Sequence, residues 1–298
     1  MSQKHPVIAV TGSSGAGTTT VKRSFEHIFR RESIHAAVVE GDSFHSMTRL
    51  EFKEAVENAE KNHVRPPSHF GPECNHFDKI EETFRQYGET GMCQRRYYIH
   101  NNAEAVEFND RLGTSLKPGE FTPWEDIETG SDLLFYEGLH GGVKTEKIDF
   151  IQYVDLLIGV VPVVNLEWIQ KIHRDTGERG YSAEAATQTI LRRMRDYVDY
   201  ICPQFSNTDI NFQRVATVDT SNPFIARDIP TLDESFVVIR FNERGRAKRP
   251  DFEYLLTMIK DSFMSRANTI VVPGGKMGLS MEMILTPIIK DLVVRSHD

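Results

Sequence analysis

The chain of 298 residues is 39% apolar and 26% charged, enough to bury a full core. With 43 acidic against 35 basic residues the net charge is −8, which excludes broad electrostatic binding of nucleic acid. No apolar run reaches the roughly 18 to 20 residues of a membrane-spanning helix, the three cysteines Cys74, Cys93 and Cys202 lack CxxC or CxH spacing, and no leader is read in Met1–Pro6, so a cytoplasmic location is expected.

Val7–Val10 is a short β-branched run closed by Gly12, and Val21, Phe25, Ile28 and Phe29 then fall at helical spacing over 18–31. This predicts strand, loop and helix in that order. Strand Ala36–Glu40, helix 48–62, strand Leu133–Glu137, strand Leu156–Val161 and helix 163–176 continue the alternation. A long helix is predicted from 182 to about Ile201, then strands at Val215–Val218, Phe236–Phe241 and Thr269–Val272, and a closing helix. Strands interleaved with helices predict an α/β fold, a doubly wound and mostly parallel sheet with helices on both faces. No internal repeat is present. One domain over residues 1–298, with surface insertions at about 54–130 and 242–250, is the simplest organisation.

Gly12, Ser13, Ser14, Gly15, Ala16, Gly17, Thr18, Thr19 and Thr20 lie between the first strand and first helix, where backbone N–H groups and the helix N-terminus can cradle phosphate. The spacing is that of a Walker A loop, GxxxxGK[ST], at Gly12, Gly17 and Thr19, with Thr18 where the lysine would stand. Nucleotide binding is expected, Thr19 offering a hydroxyl to Mg2+, and the missing cation must come from elsewhere. A ligand-free glycine turn is the plainer alternative.

Asp42 follows the second strand, where an aspartate beside the phosphate loop can take the proton of an attacking alcohol. It could equally cap the next helix. Glu137 ends an apolar strand, the Walker B arrangement that holds Mg2+ directly or through water. Lys171, Arg174 and Asp175 fall on adjoining turns of one helix, so the two cations can replace the absent lysine over the phosphates while Asp175 joins Glu137 at the metal. An ordinary i,i+4 ion pair on a surface helix is the alternative. Arg31, Arg49, Lys53, Tyr98 and His100 add hydrogen-bond donors suited to a phosphorylated substrate. The eleven histidines show no HExxH or paired-ligand spacing, so no transition-metal site is expected.

The strings TGSSGAGTTT, VEGDSFH, LLFYEGLHG, VVPVVNLEWIQKIHRD, PQFSNTDINFQR, VDTSNPFIARDIP and SRANTIVVPGGKMGL resemble the bacterial phosphoribulokinases, P-loop kinases related to uridine kinase, over nearly the whole chain. The resemblance implies phosphorylation of D-ribulose 5-phosphate by ATP to ribulose 1,5-bisphosphate, the step that regenerates the carbon dioxide acceptor in the Calvin cycle. It implies Asp42 as base, Lys171 and Arg174 as phosphate-stabilising cations, and Glu137 and Asp175 as the acids serving magnesium. His45, Arg49, Arg31, Tyr98, His100 and Arg179 would meet the sugar phosphate, with Lys53 beside Arg49.

The same resemblance implies a homo-oligomer activated by NADH and inhibited by AMP, with Arg193, Arg240 and Arg266 near the effector site. Ala16 stands where the plant type carries a regulatory cysteine, so thioredoxin switching through this loop is excluded. A kinase for another small sugar phosphate or a nucleoside is the competing reading, since the loop, Asp42 and Glu137 would serve either. A non-catalytic nucleotide-binding module is the other.

Overall fold

The computed structural model describes residues 4–12, 18–177, 180–243 and 245–297, without the side chains of Thr18, Thr19 and His297. In chain order the elements are β1 (Val7–Gly12), α1 (Thr18–Arg31), β2 (Ala36–Glu40), α2 (Arg49–Lys61), α3 (Phe77–Thr90), β3 (Gln94–Arg95), α4 (Asn102–Leu112), β4 (Glu125–Asp126) and β5 (Leu133–Gly138). Then follow β6 (Leu156–Val161), α5 (Val164–Gly177), α6 (Ala183–Asp196), β7 (Ile210–Ala216), β8 (Ser235–Phe241), α7 (Phe252–Met258), β9 (Phe263–Arg266), β10 (Thr269–Pro273) and α8 (Met277–His297).

Eight strands form one sheet in the order β2-β5-β1-β6-β7-β8-β10-β9. The pairs from β2 to β7 are parallel and the last three pairs are antiparallel. The expected mostly parallel sheet therefore carries an antiparallel extension. The central strands are buried on both faces because their side chains alternate between two cores. Ile8, Val10, Leu133, Phe135, Leu156 and Ile158 point to a core shared with α1 and α8, while Val7, Ala9, Leu134, Tyr136 and Leu157 point to one shared with α3.

From β1 the chain crosses by α1 to β2 on one side, and from β5 it passes to β6 on the other. The strand order thus reverses about β1. Such a switch point opens a crevice at the carboxyl ends of the strands, and that crevice is where an open α/β sheet binds ligands.

Several elements differ from the sequence expectation. The strand expected at Val215–Val218 runs over Ile210–Ala216 instead, since Ile210 and Phe212 are the residues that alternate into the core. The helix expected to run to Ile201 is regular only to Asp196 and ends in a π-helical turn, Tyr197–Ile201. Helices α3, α4 and α7 and strand β9 were not anticipated. α3 presents Phe77, Ile80, Phe84 and Tyr87 to the second core at helical spacing, inside a stretch read as insertion.

Candidate active site

Parallel register brings the acids together. Glu40 is the direct partner of Glu137 across β2 and β5, and Val10 of β1 pairs with Glu137 from the other side. Beyond β2 a 3-10 turn, Gly41–Phe44, carries Asp42 over the strand ends. The turn sits close because Gly41 and Gly138 lack side chains: a Cβ on Gly41 would lie 2.7 Å from the Gly138 Cα and 2.7 Å from the Tyr136 hydroxyl.

The Asp42 side chain is 45% exposed at the cleft floor, with His45 Nε2 3.4 Å and His100 Nε2 4.0 Å from its carboxylate oxygens. Enclosure by the cleft walls works to raise its pKa, but the hydrogen bond and charge of His45, with His100 and His69, outweigh that and hold it at about 2. His45 is itself oriented from behind. Asn75 donates through Nδ2 to the carbonyls of His69 and Gly71, at 2.8 and 2.7 Å, so its Oδ1 is the acceptor for His45 Nδ1 at 2.9 Å. The His69 ring stacks between His45 (4.4 Å) and Phe52 (4.0 Å), and burial, then the charges of His45 and Arg193, keep it neutral with a pKa of about 2.

Glu137 is pushed the other way, up to about 7, first by burial and then by the charges of Asp42 and Glu40, with Lys22 opposing. Lys22, which the sequence did not single out, donates to Glu40 at 2.8 Å. Three carboxylates with one facing lysine make a site that favours an added cation, and in that sense the donor set fits Mg2+. No group of three or more metal-ligating side chains closes a cage among the described residues, as suits an ion that keeps waters and substrate phosphates as its other ligands.

On α5 the Lys171 ammonium donates to Asp175 at 2.5 Å, and Arg174 Nε stands 3.6 Å from the same carboxylate. Asp175 is buried at 4% exposure, so for it to reach a metal beside Glu137 the Lys171 pair must open. Burial lowers the Lys171 pKa while Asp175 works to raise it.

Around Asp42 the structure gathers His45, Tyr98, His100 and Arg49, whose guanidinium donates to the Tyr98 hydroxyl (3.3 Å) and the His100 carbonyl (3.1 Å). Two expected substrate residues are placed differently. Arg31 ends α1, a helix roughly 20 Å long whose other end faces the cleft, and it bonds Glu32, Glu282 and Thr286 instead. Lys53, one turn past Arg49, is 73% exposed and pairs with Glu57 at 3.8 Å. Ser13, Ser14, Gly15, Ala16, Gly17 and Arg179 lie outside the described residues. Of the phosphate-loop stretch, Gly12 ends β1 and Thr18, Thr19 and Thr20 open α1.

The three expected effector arginines do not meet within one chain. Arg240 and Arg266 both pair in register with Thr269 across the antiparallel extension, whereas Arg193 lies over Phe52 and Phe70 beside the histidine cluster. One positioning residue was invisible in sequence. Gln204, 2% exposed, accepts from Thr11 Oγ1 and the Gly142 N–H at 2.9 Å each and donates to the carbonyls of Leu139 and Tyr200, tying the end of β1 to the loop after β5.

Residues 7–221 match the family described as Phosphoribulokinase / Uridine kinase. The chain is 58% identical over 295 residues to the chromosomal phosphoribulokinase of Cupriavidus necator, covering 99% of this chain and 98% of that one. It is 59% identical over 297 residues to the phosphoribulokinase of Xanthobacter flavus, with 100% and 99% covered. The solved phosphoribulokinase from Rhodobacter spheroides superposes with a TM-score of 0.88 at 53% identity, over 100% of both chains.

Proposed function

The chain belongs to the phosphoribulokinase/uridine kinase family, and from that premise we propose how its cleft carries out phosphoryl transfer. The reaction is the transfer of the ATP γ-phosphoryl group to ribulose 5-phosphate, giving ribulose 1,5-bisphosphate and ADP in the Calvin cycle. The observation that carries the site assignment is the convergence of Asp42 and Glu137 at the carboxyl ends of the adjacent strands β2 and β5, the latter paired with β1.

The substrate hydroxyl gives its proton to the Asp42 carboxylate as its oxygen bonds to the γ-phosphorus and the bridging bond to ADP breaks. With a pKa of about 2, Asp42 is ionised but weakly basic. It therefore acts late, on a proton already acidified by bond formation, and positioning supplies most of the rate. Residues 12–20 hold the triphosphate, and Lys171 and Arg174 neutralise charge that develops on the transferred group. Thr19 and Glu137 would hold Mg2+, whose charge offsets that of the phosphates, and Asp175 joins them when its Lys171 pair opens. Arg49, Tyr98, His100 and His45 receive the sugar phosphate, and Arg179 is proposed as a further ligand to it.

We extend the reading to a cytoplasmic homo-oligomer, activated by NADH and inhibited by AMP, with Arg240 and Arg266 as the pair that meets the effector. Among the described residues no helix is long and apolar enough to cross a membrane. The test is ADP release with ATP, magnesium and ribulose 5-phosphate, beside ribose 5-phosphate and uridine, with and without NADH. Turnover confined to ribulose 5-phosphate and raised by NADH is expected. Turnover with another alcohol would overturn the substrate assignment, and indifference to NADH the regulatory one.

A further inference from the structure

The turn that carries Asp42 is only four residues long, and no helix follows to take up its carbonyls. Arg96, just past β3, fills that role. Its Nε donates to the Ser43 carbonyl at 2.6 Å and its Nη2 to the His45 carbonyl at 2.7 Å, so one planar fork holds the backbone on the C-terminal side of Asp42. The guanidinium lies 3.9 Å from the centroid of the Phe121 ring and 4.8 Å from that of Trp124. Trp124 also packs on Phe44 of the turn, at 5.6 Å between ring centroids. The N-terminal side is closed by Ser43 Oγ, which donates to the Glu40 carbonyl.

We propose that Arg96 is a positioning residue for phosphoryl transfer: it fixes the turn bearing Asp42 and His45 and sets the carboxylate where the substrate hydroxyl arrives. The aromatic wall, from the segment whose Phe121 also packs on Tyr98 at 5.2 Å between ring centroids, keeps the fork in place. This rests on the reading of Asp42 as the base. Arg96 Nε and Nη2 are both engaged by the backbone carbonyls of the turn, so its loss acts through Asp42. A displaced base costs rate rather than nucleotide affinity.

In Arg96→Ala, kcat is expected to fall about 100-fold while KM for ATP moves less than about threefold. Millimolar guanidinium should restore at least about tenfold of the loss, because it re-enters the cage with the same donors. Emission from Trp124, one of two tryptophans, should change in the variant and return with guanidinium. In the Asp42→Asn background the same substitution should cost no more than about tenfold, since the base is gone and only the hold on His45 is lost. Parent kcat in Arg96→Ala, or equal loss of kcat and ATP affinity without rescue, overturns the proposal.

Should the alanine variant not fold, Arg96→Lys keeps the charge over the rings without the paired donors, and about a tenfold loss of kcat is expected. Parent kcat there overturns the proposal equally. Parent turnover in Asp42→Asn alone would remove the base and the positioning role together. A normal loss in Asp42→Asn beside an unaffected Arg96→Ala would remove only the latter.

Discussion

The hydrogen bond and charge of His45, with the charge of His100, hold the Asp42 pKa low, which makes the proton acceptor dependable but weak. Asp42→Asn should therefore lower kcat by about 10² or more, while KM for ATP stays near the parent value, because the proposed triphosphate site, residues 12–20, does not include Asp42. Steady-state kinetics at saturating ribulose 5-phosphate check this; an unchanged kcat removes Asp42 from the chemistry. The strand-end positions of Asp42 and Glu137 could be read from sequence because each follows a short apolar run, a local signal that survives without coordinates. Asn75, Arg96 and Gln204 could not. Their partners lie far along the chain, as with Thr11 and Gln204, 193 positions apart, and an isolated amide or guanidinium has no periodicity to betray its role. Arg31 and Lys53 show the converse: residue type alone does not fix position, and one ends α1 against Glu282 while the other faces water beside Glu57.

At the scale of elements, α5 joins chemistry to stability, because its Lys171–Asp175 pair is enclosed, with side chains 16% and 6% exposed. Removing the lysine leaves a buried carboxylate with Arg174 as a more distant cation, at 3.6 Å. Lys171→Met should thus lower unfolding free energy by about 2–4 kcal/mol and reduce kcat more than ATP affinity. Adding Asp175→Asn should recover much of the stability in urea titration and none of the turnover; failure to recover it would mean that the pair is not the source of the loss. The spacing of Lys171 to Asp175 was legible as an i,i+4 pair, whereas its burial depends on packing by α6, which no local pattern encodes. α3 went unread for a different reason. Its Phe77, Ile80, Phe84 and Tyr87 have a clear helical period, yet they sit in a stretch whose prolines and polar flanks suggest a loop.

Across the whole molecule, strands from residues 7 to 273 share one sheet and α8 returns to pack on α1, so we propose that the chain unfolds as one unit. Its acid response should follow from groups whose proton affinity changes on folding. Burial holds His140 at about 3 and His69 at about 2, against 6.5 for the free side chain, and His5 and His76 are lowered in the same direction. As pH falls below 6.5, the unfolded chain binds protons that the folded histidines refuse, so stability drops. Glu137 works oppositely. Its folded pKa of about 7 against a free value of 4.5 means that the fold, without magnesium, holds a proton the unfolded chain lacks between those limits. For His69, His140 and Glu137 the balance is two protons against one, a loss of about 1.4 kcal/mol per pH unit from roughly pH 6 to 5. Below about pH 4.5 the unfolded Glu137 carboxyl protonates too, its opposition fades, and the slope steepens toward the roughly 2.7 kcal/mol per unit of two histidines. Asp42, lowered from 3.8 to about 2, adds to the loss in that last interval. Urea titrations of the metal-free protein at pH 7, 6 and 5 should show a single transition moving to lower urea with acid. His140→Gln should bring the upper part of the curve close to flat, by removing about one proton, and a midpoint that rises with acid would mean that neither histidine is held neutral by the fold.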